Sequence, residues 1–280
     1  MAGVRLVTDS SCDLPQDVVE AHGIVVVPLT IRFGEDELTD GVDLSTEQFY
    51  ARMATFEGLP ETAAPAPGAF EAAFRAQAEA GADAVVCINL SSALSATMAS
   101  AQNGARALEG EVDVRVVDSK SITAGLGTIV RVAAAAAEGG ASADEVVALV
   151  EDMRERVHVF GGLDTLENLK KGGRIGGAQA LVGTLLSIKP IVDISTGVVE
   201  EAGKVRTRKK QMVALRDILV KAGEVEHLSV CDGLASDVDE FIEVIAEVHD
   251  RAATGRSTIG PVIGTHGGPA MIGLTWLDKR

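Results

Sequence analysis

The sequence predicts an α/β fold made of two α/β domains. In the first part of the chain, short apolar runs of strand length alternate with segments of helix length, which is typical of a mostly parallel sheet with flanking helices. After about residue 157 the pattern changes to strands joined by a short turn, which indicates a mixed sheet with helices. A chain of 280 residues is long enough for two domains. We therefore expect an N-terminal domain over 1–157 and a C-terminal domain over 158–280.

In the first part, several helices carry their own start signal. Ser45 with Gln48, and Ser142 with Glu145, have the spacing of a capping box. The proline-rich segment 56–68 is predicted to be an irregular and stiff loop. The predicted strands are Val4–Thr8, Ile24–Leu29, a hairpin over Phe33–Asp40, Ala84–Leu90 and Asp113–Val117. The predicted helices are Leu14–His22, Thr46–Met53, Ala69–Ala80, Leu94–Ala101, a helix that follows Gly125-Leu126-Gly127 and ends near Glu138, and Ser142–Arg156.

In the second part of the chain, strands and helices alternate less regularly. The predicted strands are Val157–Gly162, Ile188–Ile194, Val198–Glu201 continuing into Lys204–Arg206, and His227–Cys231. The predicted helices are Thr165–Lys171, Ala178–Ser187, Arg208–Ala222 and Ser236–Arg251. Two final strands flank Thr265–Gly268, so His266 is expected in an exposed, glycine-rich loop.

Composition narrows the class of ligand. The net charge of −16 argues against nucleic acid and anionic membrane surfaces as partners. Aromatic residues make up only 3% of the chain, so an apolar cavity would have aliphatic walls that suit a flexible aliphatic ligand.

Three cysteines without CxxC spacing argue against disulfides and a zinc site. With no signal segment and no long apolar run, we expect a cytoplasmic protein without an integral membrane segment.

The most informative stretch is Ala84–Ala101, where a strand buried on both faces leads into a predicted helix. Ser91, Ser92 and Ser95 lie at this junction, beside the positive end of the helix dipole, which favours an anion. No glycine-rich phosphate loop is present, so a small carboxylate or phosphate fits better than a nucleotide. The alternative is that these serines only cap the helix and form the turn.

Basic residues and one histidine also indicate an anionic ligand or partner. Eight of the 25 basic residues lie in two windows, 170–174 and 204–210, which is a candidate surface for an anionic partner. The first window also has the form of an ordinary helix C-terminus, which needs no function. His266 could hold a carboxylate, although a lone histidine often has only a structural role.

No established catalytic motif is found in the sequence. Walker loops, dinucleotide-binding fingerprints, zinc-protease motifs and nucleophile elbows are all missing. A hydrolase that uses Ser92 with His266 stays open, but no third residue that would orient the histidine identifies itself. The sequence therefore predicts no catalytic residue and no metal ligand.

Nine segments in order resemble the DegV family of bacterial fatty-acid-binding proteins, which includes the binding subunits of fatty acid kinase. The resemblance covers nearly the whole chain. The segments are VTDSSCDLP from Val7, VVPL from Val26, TAAPAPGAF from Thr62, LSSALSAT from Leu90, VVDSKSITAGLG from Val116, LKKGGRIG from Leu169, IKPI from Ile188, KVRTRKK from Lys204 and IGPVIGTHGGPAMIGL from Ile259.

The resemblance implies a function and a set of site residues. It implies a long-chain fatty acid as the ligand, no other cofactor, and an ATP-binding fatty acid kinase subunit as partner. It implies that hydroxyls and a histidine hold the carboxylate, and the matching positions are Thr62, Ser91, Ser92, Ser95 and His266. Arg174 and Arg206 match the arginines that meet the kinase subunit or the phosphate.

The leading hypothesis is therefore a fatty acid carrier that presents the carboxylate to a separate kinase for acyl-phosphate formation. The carrier itself is expected not to be an enzyme. Two alternatives stay open at this point: a stand-alone Ser/His acyl hydrolase or transferase, and a regulatory lipid sensor.

Overall fold

The computed structural model describes residues 3–181 and 188–280 of the chain. Its strands are β1 (Val4–Asp9), β2 (Val25–Val27), β3 (Thr30–Phe33), β4 (Asp36–Thr39), β5 (Glu61–Ala63), β6 (Ala84–Asn89), β7 (Val114–Asp118), β8 (Val157–Gly162), β9 (Lys189–Asp193), β10 (Glu200–Val205), β11 (Val225–Asp232), β12 (Gly255–Thr258) and β13 (Ile272–Asp278). Its α-helices are α1 (Gln16–Ala21), α2 (Thr46–Met53), α3 (Pro67–Glu79), α4 (Thr97–Arg106), α5 (Thr123–Glu138), α6 (Ala143–Arg154), α7 (Glu167–Lys171), α8 (Arg208–Ala222), α9 (Val238–Ala246) and α10 (Pro261–Gly267).

Two larger sheets confirm the predicted α/β class. The first sheet has the order β2-β1-β6-β7 and is parallel throughout. All six residues of β6 are buried, because both faces of this central strand are covered. The second sheet has the order β10-β9-β8-β13-β11-β12 and is mixed, since only β11 and β12 run parallel.

The two sheets share one apolar core. Side chains on one face of the second sheet, such as Val159 and Leu277, belong to the same cluster as Leu6 and Ile88 of the first sheet, with α5 among the elements between them. The opposite face of the second sheet packs against α8 and α9. The first sheet ends before residue 157 and the second begins there, and the division into two separate domains stays a prediction.

A third, small sheet corrects the prediction for the proline-rich segment 56–68. Within it, β5 pairs with β3, with Thr62 opposite Ile31. The strand ends before Pro65, because proline cannot donate a ladder hydrogen bond. The segment is therefore irregular only over 56–60 and 64–66, because 61–63 form the strand that holds Thr62 and helix α3 begins at Pro67.

Helix α4 begins later than predicted, at Thr97 rather than near Leu94. The serines before it use their polar groups locally: Ser91 Oγ accepts from the amide of Ala93, and Ser95 Oγ accepts from that of Thr97. Such side-chain bonds compete with helical ones, so residues 91–96 form turns instead. The helix start at which the anion site was predicted therefore lies at Thr97, after Ser91 and Ser92 rather than beside them.

Helix α5 begins earlier than predicted, so that Gly125 and Gly127 lie inside it. These glycines allow close packing. A Cβ at Gly125 would lie 2.8 Å from Val159 Cγ2, and one at Gly127 would lie 2.5 Å from the carbonyl oxygen of Cys12. Glycine in a sequence suggests a helix boundary, but here the tight fit of α5 requires Gly125 and Gly127 within the helix.

Replacement of Gly127 by alanine should lower the free energy of unfolding by about 2 kcal/mol, because the added methyl meets backbone that cannot move aside easily. Urea unfolding measures this change. Gly68→Ala is the matched control, since its added Cβ has no neighbour within 4 Å. Equal stability of the two variants would contradict the tight packing of α5.

The C-terminal part corrects the prediction for His266. Residues 261–267 form helix α10, which begins with Pro261 at its first turn and ends before Gly268, whose φ is +84°. Proline at the start and glycine after the end are ordinary helix signals. His266 therefore lies in the last turn of a helix and not in an exposed loop.

Of the predicted helix 178–187, residues 178–181 belong to a short 3-10 helix, and the remainder lies outside the described residues.

Candidate functional site

An apolar cavity is enclosed by residues of both parts of the chain. Its empty space is about 880 Å³, a figure that includes open solvent at its mouth. Most of the wall is aliphatic; its members include Leu29, Leu90, Ile122, Val159, Leu163, Val192, Ile194, Ile259 and Val262. This wall suits a flexible hydrocarbon.

Four polar side chains line one region of the cavity wall: Thr62, Ser95, Arg174 and His266. Thr62 Oγ1 lies 3.0 Å from His266 Nε2, although the two residues are 204 positions apart. Arg174 Nε donates to the carbonyl of Leu94, next to Ser95, and its charge acts on His266. These contacts join Thr62, His266 and Arg174, and Ser95 belongs with them as a lining residue beside Leu94. The four side chains are called here the polar cluster.

The members of the polar cluster come from separate segments of the chain. Thr62 is fixed on β5 by pairing with β3, and His266 lies in the last turn of α10. Arg174 Nη1 donates to the carbonyl of Gly172 at 2.7 Å. Gly172 also lets the backbone approach the imidazole, since a Cβ there would lie 2.5 Å from Nδ1. The cluster exists only when the two parts of the chain are packed together.

His266 is neutral in the free protein at pH 7. Burial, and then the positive charge of Arg174, lower its pKa to about 4. Nδ1 is buried without a hydrogen-bond partner among the described residues. Because an unpartnered buried N–H is rarer than an unpartnered acceptor, we assign the proton to Nε2, which donates to Thr62 Oγ1. The hydroxyl proton of Thr62 is then free for a ligand.

The low pKa of His266 predicts an acid-sensitive fold. The folded pKa is lower than the unfolded value of about 6.5, so this contribution to stability is complete above pH 6.5 and is lost as pH falls towards 4. His266→Gln should remove about 2 kcal/mol from the loss of unfolding free energy between pH 7 and pH 4.5. Urea titrations at both pH values measure it, with His249→Gln, outside the cavity, as control. Parallel pH profiles of wild type and His266→Gln would contradict a buried neutral His266.

Ser91 and Ser92 do not line the cavity. Ser91 is buried, and its hydroxyl donates to the carbonyl of Gly197 at 2.5 Å. Ser92 is exposed and donates to the carboxylate of Asp118. The structure therefore does not bring Ser92 to His266, whose partner is Thr62. We leave both serines out of the proposed ligand site, and Ser95 is the serine of this segment that remains.

The two arginines that were predicted to meet the kinase subunit or the phosphate lie in different environments. Arg174 is half-buried and lines the cavity, whereas Arg206 follows β10 and is exposed. The position of Arg174 was not foreseen, because its sequence resembles an ordinary basic helix end. Its contact with Leu94 spans 80 positions.

A second polar region of the cavity was also missed by sequence reasoning. Thr123, Cys231 and Thr275 line the cavity where α5 packs against the second sheet. Thr123 Oγ1 donates to the carboxylate of Asp13 at 2.6 Å. Burial raises the pKa of the Cys231 thiol to about 12, so it is no nucleophile. Isolated Thr and Cys in apolar strands give no signal of a site.

Within 3–181 and 188–280, no group of three or more His, Cys, Asp or Glu side chains is placed to hold a metal ion. Over the same residues, no helix combines the length and apolar character that crossing a bilayer requires.

The fold and the cavity define an α/β protein with two main sheets that encloses a narrow apolar space with a polar cluster on its wall. Comparison with known proteins gives the family. The chain belongs to the DegV family: the model described as "Uncharacterised protein, DegV family" matches residues 3–279. It is 37% identical over 281 residues to a DegV domain-containing protein of Streptomyces coelicolor, with 97% of each chain covered.

Solved structures resemble the chain over its whole length. One described as fatty acid binding of a DegV family protein from Thermus thermophilus has a TM-score of 0.89 and 32% identity, covering 99% of this chain and 100% of that chain. One described as a stearic acid-binding protein from Eubacterium ventriosum has a TM-score of 0.89 and 27% identity, covering 100% and 99%. DegV from Bacillus subtilis, described as a fatty acid binding protein, has a TM-score of 0.86 and 29% identity, with both chains fully covered.

Proposed function

We propose that this chain binds a long-chain fatty acid in the cavity and presents its carboxylate to a separate ATP-dependent kinase subunit. The observation that carries the proposal is the combination of an aliphatic wall with the polar cluster of Thr62, Ser95, Arg174 and His266. The description of related structures as fatty-acid-binding proteins supports the choice of ligand.

The hydrocarbon chain supplies most of the binding free energy in this proposal. Burial of fifteen or so methylenes at about 0.8 kcal/mol each gives a gross gain of roughly 12 kcal/mol before the cost of ordering the chain. Only the part of this gain that exceeds the ordering cost appears as affinity. That part is large enough to support slow release of the ligand. A protein that retains its ligand in this way would carry it through purification.

The polar cluster then fixes the head group. A buried carboxylate needs hydrogen bonds and a compensating charge. Thr62 has a free hydroxyl proton, and Arg174 supplies the positive charge that neutral His266 lacks. Ser95 adds a second hydroxyl, which in the ligand-free protein lies 2.8 Å from Thr97 Oγ1. In this arrangement His266 orients Thr62 and is not itself the cation.

Presentation to a kinase rests on the family resemblance and on the exposed basic window. Lys204, Arg206, Lys209 and Lys210 are exposed in a chain with a net charge of −16. Such a window would favour an acidic partner surface or the phosphates of its ATP. The carrier contributes binding and orientation, and the phosphoryl transfer takes place on the partner.

Mass spectrometry of an organic extract from purified, unsupplemented protein tests the ligand. A stoichiometric fatty acid is expected. An empty extract, followed by no binding of added fatty acids, would contradict the proposal.

Acyl-phosphate formation with a bacterial fatty acid kinase subunit tests the partner, and Arg206→Ala should slow it while leaving binding unchanged. If Arg206→Ala has no effect on that reaction, the role given to Arg206 is wrong; if the wild type forms no acyl phosphate at all, a lipid sensor becomes the better interpretation.

A further inference from the structure

The second polar region of the cavity contains a hydroxyl without a partner. Thr275 is 2% exposed and lies in the middle of β13, and its Oγ1 is buried with no hydrogen-bond partner among the described residues. Buried hydroxyls are nearly always hydrogen-bonded, so an unpartnered one on a cavity wall calls for an explanation.

The strand register shows where this hydroxyl points. Thr275 is directly opposite Val159 on β8, and directly opposed residues of an antiparallel pair lie on the same face of the sheet. Val159 faces α5, because a Cβ at Gly125 of that helix would lie 2.8 Å from it. Thr275 therefore faces the cavity and α5, whereas its neighbour Trp276 faces the core under α8 and α9.

The protein groups around Thr275 do not satisfy it. Ser229, directly opposite on β11, forms no hydrogen bond with it. Cys231 lies on the same face of β11, one diagonal step away, and its thiol is close enough to Thr275 for that contact to offset part of the burial that raises the thiol's pKa. A thiol is only a weak donor and acceptor, so this contact does not replace a full hydrogen bond to the Thr275 hydroxyl. Thr123, the other hydroxyl in this region, already donates to Asp13. The oxygen of Thr275 is therefore left for whatever fills the cavity.

This region is separate from the polar cluster that would hold the head group. The polar cluster is built on β5, α10 and the segments around Ser95 and Arg174, whereas Thr275 and Cys231 lie on β13 and β11 beneath the first turn of α5. A ligand whose carboxylate lies at the polar cluster would thus bring a part of its chain past Thr275.

We propose that the cavity selects a fatty acid that carries an oxygen substituent, such as a hydroxyl, on its chain, and that Thr275 forms the hydrogen bond to it. This inference rests on the proposed function. A plain hydrocarbon would leave Thr275 unpartnered in the complex, whereas an oxygenated chain would satisfy both groups at once. A single matched hydroxyl is expected to raise affinity roughly three- to tenfold over the unsubstituted acid.

The test uses delipidated full-length protein and a series of hydroxy fatty acids of one chain length, each with its hydroxyl at a different carbon, together with the unsubstituted acid. Dissociation constants are measured for the wild type and for Thr275→Val, which keeps the shape of the side chain and removes the hydroxyl. In the wild type one or two neighbouring positions should bind more tightly than the unsubstituted acid. In Thr275→Val that preference should disappear.

Two results would overturn the inference while leaving fatty acid binding intact. One is a wild type that binds the unsubstituted acid at least as tightly as every hydroxy acid. The other is a preference that persists in Thr275→Val. Failure of every acid to bind would overturn the proposed function and the inference together.

A stability measurement controls for damage to the fold. Thr275→Val should leave the stability of the ligand-free protein unchanged or higher, because only a weak contact with the Cys231 thiol is lost. Thr8→Val is the matched control, since the buried hydroxyl of Thr8 donates to the carbonyl of Ile88 at 2.8 Å, and its loss should destabilise the protein. A Thr275→Val variant as destabilised as Thr8→Val would show that Thr275 already has a partner and would overturn the inference.

Discussion

Replacement of Arg174 by methionine should weaken the binding of a long-chain fatty acid about 30-fold or more. Methionine keeps much of the length and apolar character of the side chain but removes the charge that lines the cavity. Loss of one partner from a buried charge pair costs about 2 kcal/mol or more, because the other charge stays buried and unpaired. Displacement of a fluorescent fatty acid from delipidated protein measures the change.

Arg206→Met is the matched control for this prediction. It removes the same charge from an exposed position outside the cavity, so affinity for the fatty acid should stay within about twofold of the wild type. A second readout is the pKa of His266, which should rise in Arg174→Met because the charge of Arg174 lowers it. Equal affinities in the two methionine variants would show that the carboxylate is held elsewhere.

Replacement of Val192 by phenylalanine should nearly abolish fatty acid binding. Val192 lies on β9, is 2% exposed and lines the cavity. A phenyl ring there would occupy space that the chain needs. Exclusion of about four methylenes costs about 3 kcal/mol, or roughly 100-fold in affinity. Titration with a fatty acid measures the loss, and the ligand-free variant should remain folded because the ring fills empty space.

The neighbouring residue offers a control of equal size. Ile191 precedes Val192 on β9 and packs into the core under α8 on the other face of the sheet. Ile191→Phe should therefore cost about 1–3 kcal/mol of stability through overpacking but leave the affinity for the fatty acid unchanged. Tight binding by Val192→Phe would mean that the chain occupies a different space.

Much of the fold could be predicted because its signals are local. The two capping boxes at Ser45 and Ser142 form as expected, and helix 208–222 has the predicted bounds. The errors occur where distant contacts decide the outcome. The glycines of α5 look like a boundary until Cys12 and Val159 are seen to pack against them.

The candidate site was less accessible to sequence reasoning. Thr62, Ser95 and His266 were reached through motifs, and the roles given to them stay predictions. The location of His266 was wrong because its glycine-rich sequence concealed the helix α10. No local pattern distinguishes Ser95, which lines the cavity, from Ser92, which faces Asp118, because that difference depends on the turns before α4.

The shared walls of the cavity have a kinetic consequence. Residues before and after position 157 close around the same space, and the contacts Thr62–His266, Ser91–Gly197 and Tyr50–Ile259 fasten them together. An occupant held between them leaves through the mouth of the cavity, and any widening of that mouth requires these contacts to break. The rate of ligand exchange would then depend on these contacts as well as on the ligand's own contacts with the wall. A partner that loosens one of these contacts would speed delivery of every acyl chain, whatever its affinity.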